Sequence, residues 1–190
     1  MTAVVLPEGI GTKVDSAPGV STPGDIRLLL PKVWAFVPSV PAPNDNHVQP
    51  PLPEDLPIIT AYLEAQTSAF ELLAIRPTPT KASPRAIAAH SAAALSALES
   101  DLQKHASAGE YYDLAEGIVL RPVVIATPRS DAEAFIFDCQ LDSSGWRKAD
   151  GTLAAGEVAG SKRFSQIARM TRVNDRWFTD AVSVDERVCA

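Results

Sequence analysis

The sequence is poor in the residues that build metal centres and nucleophilic sites. Its 190 residues include two cysteines and three histidines, and neither cysteine has a second Cys or His at the spacing of zinc ligands. It contains no glycine-rich phosphate loop, and no serine lies in a nucleophile-elbow motif. The sequence therefore predicts neither a metal nor a cofactor.

Positive charge and long apolar runs are also scarce. The net charge is −6, and no more than two basic residues are adjacent anywhere, which disfavours nucleic acid as a partner because a phosphate backbone is bound by clustered Lys and Arg. No apolar run approaches the roughly 18 to 20 residues that span a bilayer. The N-terminus lacks the charged region and apolar core of a secretory signal. We expect no membrane span, while the location stays open, with a virion or the cell exterior among the possibilities.

Proline is abundant but concentrated at one end of the chain. Eleven of the sixteen prolines lie in the first 57 residues, where they exclude regular helices and central strands and favour extended or polyproline II structure. We predict that residues 1–53 form a proline-rich extended arm and that residues 54–190 form one folded domain.

The arm nevertheless contains a strongly apolar segment at residues 25–37. Leaving so much apolar surface in water is unfavourable, at about 25 cal/mol per Å², so this segment must pack against its own domain or against a neighbouring subunit; the residues leave both open. Aromatic side chains of this kind often anchor protein interfaces. The candidate partner-binding residues are Leu28, Leu29, Leu30, Trp34 and Phe36 in the arm, with Trp146 in a later loop.

The pattern of the domain changes from helix to strand at Gly109. Apolar residues at helical spacing predict one helix over about 56–74, and Ser83 followed by Pro84 predicts the start of a second that ends before Gly109. Strands are predicted over 118–127, 132–141, 163–173 and 177–184, with a tight turn at Asn174-Asp175. The predicted fold class is therefore α+β: two N-terminal helices packed on a curved antiparallel sheet of three or four strands, preceded by the arm.

Three segments of the domain resemble a known family. They are Phe137–Trp146, Asp150–Thr152 and Ile167–Trp177. With the order of helices and strands they make residues 54–189 similar to the cone-shaped domains named after ketosteroid isomerase and nuclear transport factor 2, of the small non-catalytic kind found in GC-rich bacteria. The resemblance implies a fold that hosts enzymes, binding modules and structural domains alike.

Two carboxylates follow from the resemblance as catalytic candidates, because enzymes of this family use Asp, His or Tyr side chains inside the cone. Asp138 and Asp180 are the candidates, flanked by Arg169 and Arg172. A buried carboxylate with a raised pKa can act as a general base. An Asp beside an Arg on a neighbouring strand is more often a structural pair.

The two cysteines, Cys139 and Cys189, are either separate thiols or one disulfide. A bridge would close a loop of about 50 residues and contribute roughly 3 to 4 kcal/mol. Proteins that this chain resembles also have a cysteine near the C-terminus, which favours the bridge.

Three functional hypotheses follow. The first is a non-enzymatic structural, assembly or protein-interaction protein whose arm docks on a neighbouring subunit, for example in a virion. The second is a cell-envelope accessory or ligand-binding domain, and the third is a small isomerase-type or cyclase-type enzyme. The lack of a catalytic motif favours the first.

Overall fold

The computed structural model describes residues 26–38, 50–160 and 162–184. These residues form a seven-stranded mixed sheet, a separate two-stranded sheet and three helices. The strands are β1 (Ile26–Leu30), β2 (Val33–Phe36), β3 (Glu110–Asp113), β4 (Ile118–Leu120), β5 (Pro122–Ile125), β6 (Glu133–Asp142), β7 (Gly145–Lys148), β8 (Lys162–Val173) and β9 (Arg176–Val184). The helices are α1 (Leu56–Leu73), α2 (Pro84–Ala89) and α3 (Ala92–Ser107).

The large sheet has the strand order β1-β2-β4-β6-β8-β9, with β5 pairing with β6 beside β4. The β2–β4 pair is parallel and the other pairs are antiparallel. Strands β3 and β7 form the small sheet. Helix α1 covers one face of the large sheet, where Tyr62 and Ile58 pack with Ile136 and Met170 in the main hydrophobic core.

The predicted fold class is wrong in the order of its helices and strands and in the number and direction of the strands in its sheet. Strands β1 and β2 precede all three described helices, and the sheet has seven strands and a parallel pair. The error comes from the apolar segment, of which residues 26–36 form a hairpin at one edge of the sheet instead of an extended arm. The core of this chain therefore includes residues that the predicted boundary at 53 assigns to the arm.

The second helix is shorter than predicted because it is interrupted. Ser83 caps α2 as expected, with its hydroxyl accepting from the Ala86 amide. Ser91 then caps α3 in the same way through the Ala94 amide. Between the helices, His90 is extended and forms a bridge with Thr179 of β9. A second N-cap serine and a strand edge beside it outweigh the helical propensity of the alanine-rich segment.

Other local predictions are confirmed. The helix predicted over 56–74 is α1, and the last two strands form a hairpin in which Asn174 and Asp175 both have positive φ. Pro122 marks the break between β4 and β5. The long polar loop between β6 and β8 exists, but it contains strand β7, which the sequence pattern did not indicate.

Candidate functional site

Asp138 lies at the centre of a buried polar network between helix α1 and the sheet. Its side chain has no exposed surface. Its Oδ2 accepts hydrogen bonds from the Tyr62 hydroxyl at 2.6 Å and from Gln140 Nε2 at 2.9 Å, and its Oδ1 accepts from the Arg121 amide at 2.6 Å. Gln166 Nε2 donates to the Tyr62 hydroxyl at 2.5 Å. The network thus joins α1, β6 and β8 in the interior.

Asp138 lies on the face of β6 that α1 covers. Ala134 and Ala168 occupy the same face as Asp138 and are fully buried beneath α1, whereas Phe135 and Phe137 point to the other face. Ile136 and Met170 share this buried face, so α1 packs on a mixture of small and large apolar side chains. Sequence reasoning separated the two faces of β6 correctly, but it did not identify which of them is the core.

Burial controls the electrostatics of this network. Loss of hydration raises the pKa of Asp138 to about 6, although the hydrogen bonds from Tyr62, the Arg121 amide and Gln140 act in the opposite direction. Burial and the nearby Asp138 charge raise the pKa of Tyr62 well above its usual value, so the phenol remains protonated. The network is therefore a carboxyl group surrounded by neutral donors.

Asp180, the second catalytic candidate, does not share a site with Asp138. It is partly exposed and pairs with Arg169, and hydrogen bonding from Ser91 together with Arg169 lowers the pKa of Asp180. Arg172, expected to flank the same site, pairs with Asp175 in the β8–β9 turn. The two carboxylates lie on strands separated by β8 and have no hydrogen-bond partner in common among the described residues.

A small open cleft of about 200 Å³ lies elsewhere, beside the start of β7. Three of its polar wall residues are already bonded within the chain. The Ser143 hydroxyl donates to the Gly117 carbonyl, the Ser144 hydroxyl lies 2.5 Å from Asp142 Oδ1, and Arg147 pairs with Asp113. Because these groups satisfy one another, they act as structural contacts and leave little hydrogen-bonding capacity for a ligand.

Trp146 is part of an aromatic cluster that joins α3 to the small sheet. Its ring is parallel to the His105 ring, with centroids 3.4 Å apart, and the Tyr112 ring meets it edge-on at 5.0 Å. His105 Nδ1 also lies 2.6 Å from Glu110 Oε2. The predicted use of Trp146 as a partner anchor is untested, but its main contacts are inside this chain.

The apolar residues of the predicted arm occupy three different environments. Trp34 and Phe36 are buried with Val119 and Leu141 in a second core on the sheet face opposite α1. Leu29 and Leu30 pack against the main core, and Leu28 is exposed. Of the two alternatives for this segment, packing against its own domain is the one observed for the two aromatic residues, because β2 pairs in parallel with β4 and becomes an interior strand.

A partly exposed apolar patch on the face of the sheet opposite α1 was not predicted; Val123 is its exposed member, and the other three residues are partly buried. It is formed by Val123 and Ile125 of β5, Phe135 of β6 and Ile167 of β8. The strand register places these four residues on one face around Phe137, and none of them belongs to a hydrophobic core cluster of the described residues. We call this set the outer-face patch. The alternation on β6 was the available signal, since it placed Phe135 and Phe137 together.

One of the two cysteines of the predicted disulfide is among the described residues. Cys139 is disulfide-bonded, and Arg121 Nη2 lies 2.8 Å from its sulfur. Cys189 lies outside the described residues, so the pairing of Cys139 with Cys189 stays a prediction.

Neither a metal cluster nor a membrane helix is found in the described part of the chain. No group of three or more His, Cys, Asp or Glu residues in residues 26–38, 50–160 and 162–184 is arranged to hold a metal ion. Over the same ranges, no helix combines the length and the apolar character needed to cross a membrane.

Comparison with known proteins finds no match for this chain. No family model matches it. No curated protein and no solved structure matches it either. The resemblance to ketosteroid-isomerase-like domains therefore stays a prediction.

Proposed function

We propose that this chain is a non-enzymatic protein-interaction protein that assembles with further copies of itself through the outer-face patch. The observation that carries the proposal is the row of Val123, Ile125, Phe135 and Ile167 in register across three strands. Val123 is 42% exposed in β5, a strand that pairs only with β6 among the described residues. An ordered apolar surface of this kind is costly to leave in water and typically marks an interaction site.

The environment of Asp138 supports an interaction role over a catalytic one. A general base must come within hydrogen-bonding reach of its substrate. Asp138 has no exposed surface, and its carboxylate is occupied by three donors from the same chain. The interior position of this group suits the architecture of a scaffold.

The charges around the patch favour a second copy of the chain as the occupant. Glu133 lies two residues before Phe135 on the same face of β6. Arg169 of β8 is the cross-strand neighbour of Phe135 and forms an ion pair with Asp180. In a two-fold interface each patch meets itself, so a rim with both signs of charge can place opposite charges against each other. A nucleic acid would require a rim of one sign.

The arm is a separate part of the proposal. We propose that the proline-rich segments before β1 and between β2 and α1 contact a neighbouring subunit, as in a repeated assembly such as a virion component. This chain buries Trp34 and Phe36, so we assign the contact to the proline-rich segments and not to these two side chains. Removal of residues 1–52 would delete β1 and β2, so point variants in the full chain are the better test.

Sedimentation of the full chain over a wide range of concentrations tests the self-assembly. We expect the wild type to form dimers and Val123→Lys to weaken them by about tenfold or more, since a charge would be placed in an apolar interface centre. Val158→Lys is the matched control, because Val158 is 72% exposed and lies outside the patch. Circular dichroism establishes that both variants fold. A monomeric wild type, or equal dimerisation of the two variants, would overturn the proposal.

A further inference from the structure

The carboxyl group of Asp138 is buried without a cation bonded to it. Its three donors are the Tyr62 hydroxyl, the Gln140 amide and the Arg121 backbone amide, all of them neutral. The Arg121 guanidinium makes hydrogen bonds to Cys139, with Nε donating to the Cys139 carbonyl at 2.8 Å, and its charge lowers the pKa of Asp138 less than burial raises it. Among the ion pairs of the described residues, none includes Asp138.

A buried carboxylate in this situation favours its protonated form. Removing the charged group from water costs free energy, and neutral donors recover only part of it. Protonation removes the charge and supplies a donor in place of an acceptor. The amide groups of Gln140 and Gln166 can exchange donor and acceptor by rotation, so the network can adapt to the added proton.

The groups that face Asp138 keep their own charge when Asp138 gains or loses a proton. From α1 it faces Tyr62, which stays neutral because its pKa is raised well above the usual value. From the β4–β5 junction it faces Arg121, which stays charged. From β6 and β8 it faces Gln140 and Gln166, which do not titrate. Asp138 is therefore the group in this network that changes charge between neutral and mildly acidic pH.

We propose that Asp138 is a proton-sensitive element that makes the packing of helix α1 on the sheet tighter at mildly acidic pH. The side chain joins the two layers through Tyr62, so its charge acts directly on their contact. This effect of Asp138 on the packing of α1 does not depend on the proposed self-assembly. It also opposes the usual effect of acid, which protonates carboxylates that the folded state prefers ionised.

The sign follows from the two states of Asp138. Its folded-state pKa of about 6 lies above the ordinary value of 3.8, so the folded chain binds the proton more tightly than the unfolded chain. Stability from this group is gained as the pH falls through 6 and is lost as it rises. Between pH 7.5 and pH 5 the unfolding equilibrium constant should decrease about tenfold on its account.

Urea unfolding of the full chain at pH 7.5 and pH 5 tests the proposal, with Asp138→Asn as the variant. We expect acidification to stabilise the wild type about tenfold more, in the unfolding constant, than it stabilises Asp138→Asn. Asp150→Asn is the control. Hydrogen bonds from Thr152 lower the pKa of this exposed carboxyl group, so Asp150→Asn must not reduce the stabilisation by acid as Asp138→Asn does.

A direct titration keeps the proposal testable if Asp138→Asn does not fold. Carbon-13 NMR of the wild-type side-chain carboxyl groups should show one buried Asp titrating near pH 6. In Tyr62→Phe the same resonance should titrate at a higher pH, because a hydrogen bond to the ionised form is gone. A carboxyl resonance for Asp138 that stays fully ionised down to pH 5 would overturn the proposal, as would equal pH dependence in the wild type and Asp138→Asn.

Discussion

The hydroxyl of Tyr62 lies 2.6 Å from the carboxylate of Asp138, across the contact between helix α1 and strand β6, although 76 residues separate them in the chain. Both side chains are fully buried. The helix residues that pack with Tyr62 in the main core, including Ile58, Ile59 and Leu63, are apolar. Apolar contacts have little directional preference, so this hydrogen bond fixes how the helix is oriented on the sheet.

Tyr62→Phe should destabilise the fold by about 1 to 3 kcal/mol at pH 7, because it leaves a buried carboxylate with one donor fewer. The loss should be smaller at pH 5, where Asp138 is largely protonated. Tyr111→Phe is the matched control, since the Tyr111 ring contacts Arg76 and its hydroxyl has no hydrogen-bond partner in the described part of the chain. Chemical unfolding at both pH values measures the two variants. Equal losses in both would contradict the role of the Tyr62 hydroxyl.

Gly117→Ala should be among the most damaging single-methyl changes in the chain. Gly117 has φ +118°, and an added Cβ would lie 2.4 Å from Trp34 Cζ3 and 2.8 Å from the Lys32 carbonyl oxygen. Backbone strain and overpacking together predict a loss of about 3 kcal/mol or more. Gly151→Ala, also at positive φ but in open space, should cost only about 1 kcal/mol. Urea unfolding compares the two, and a similar cost at both sites would argue against the packing of Trp34 on Gly117.

Trp34→Ala should lower the free energy of unfolding by about 3 to 5 kcal/mol, as expected for a buried aromatic residue. Leu28 is opposite Trp34 in the β1–β2 hairpin but is 55% exposed, so Leu28→Ala should cost less than about 1 kcal/mol. Thermal and chemical unfolding of the monomeric fold distinguish the two positions. If Trp34→Ala left stability unchanged and reduced only self-association, Trp34 would be a partner anchor after all.

Ser91→Ala should cost about 1 kcal/mol, because the Ser91 hydroxyl caps α3. The same substitution at Ser96, which is exposed within α3, should be neutral or slightly stabilising because alanine has the higher helix propensity. The two substitutions are chemically identical, but Ser91 also hydrogen-bonds to Asp180, so Ser91→Ala removes that bond together with the cap. A loss at both sites, measured by thermal unfolding, would contradict the break between α2 and α3.

Local signals in the sequence were sufficient for several elements. Pro57, Ser83 with Pro84, Gly109 and the Asn174-Asp175 turn act on their immediate neighbours through backbone geometry and capping. Alternation on β6 separated Asp138 from Phe135, because side chains on a strand point to opposite faces whatever surrounds them. These effects need only a few adjacent residues, so they could be predicted without the fold.

Contacts between distant segments decided the rest. The sequence contained the apolar segment with Trp34, but only its parallel pairing with β4 made it part of the core. Strand β7 exists because β3 pairs with it, and its own pattern is too short to show it. Asp138 was visible as a carboxylate, yet its burial depends on the packing of α1 over its face of the sheet. Sequence alone determined which residues form each face of a strand; the tertiary structure decided which face is buried, because burial depends on the other elements that pack against it.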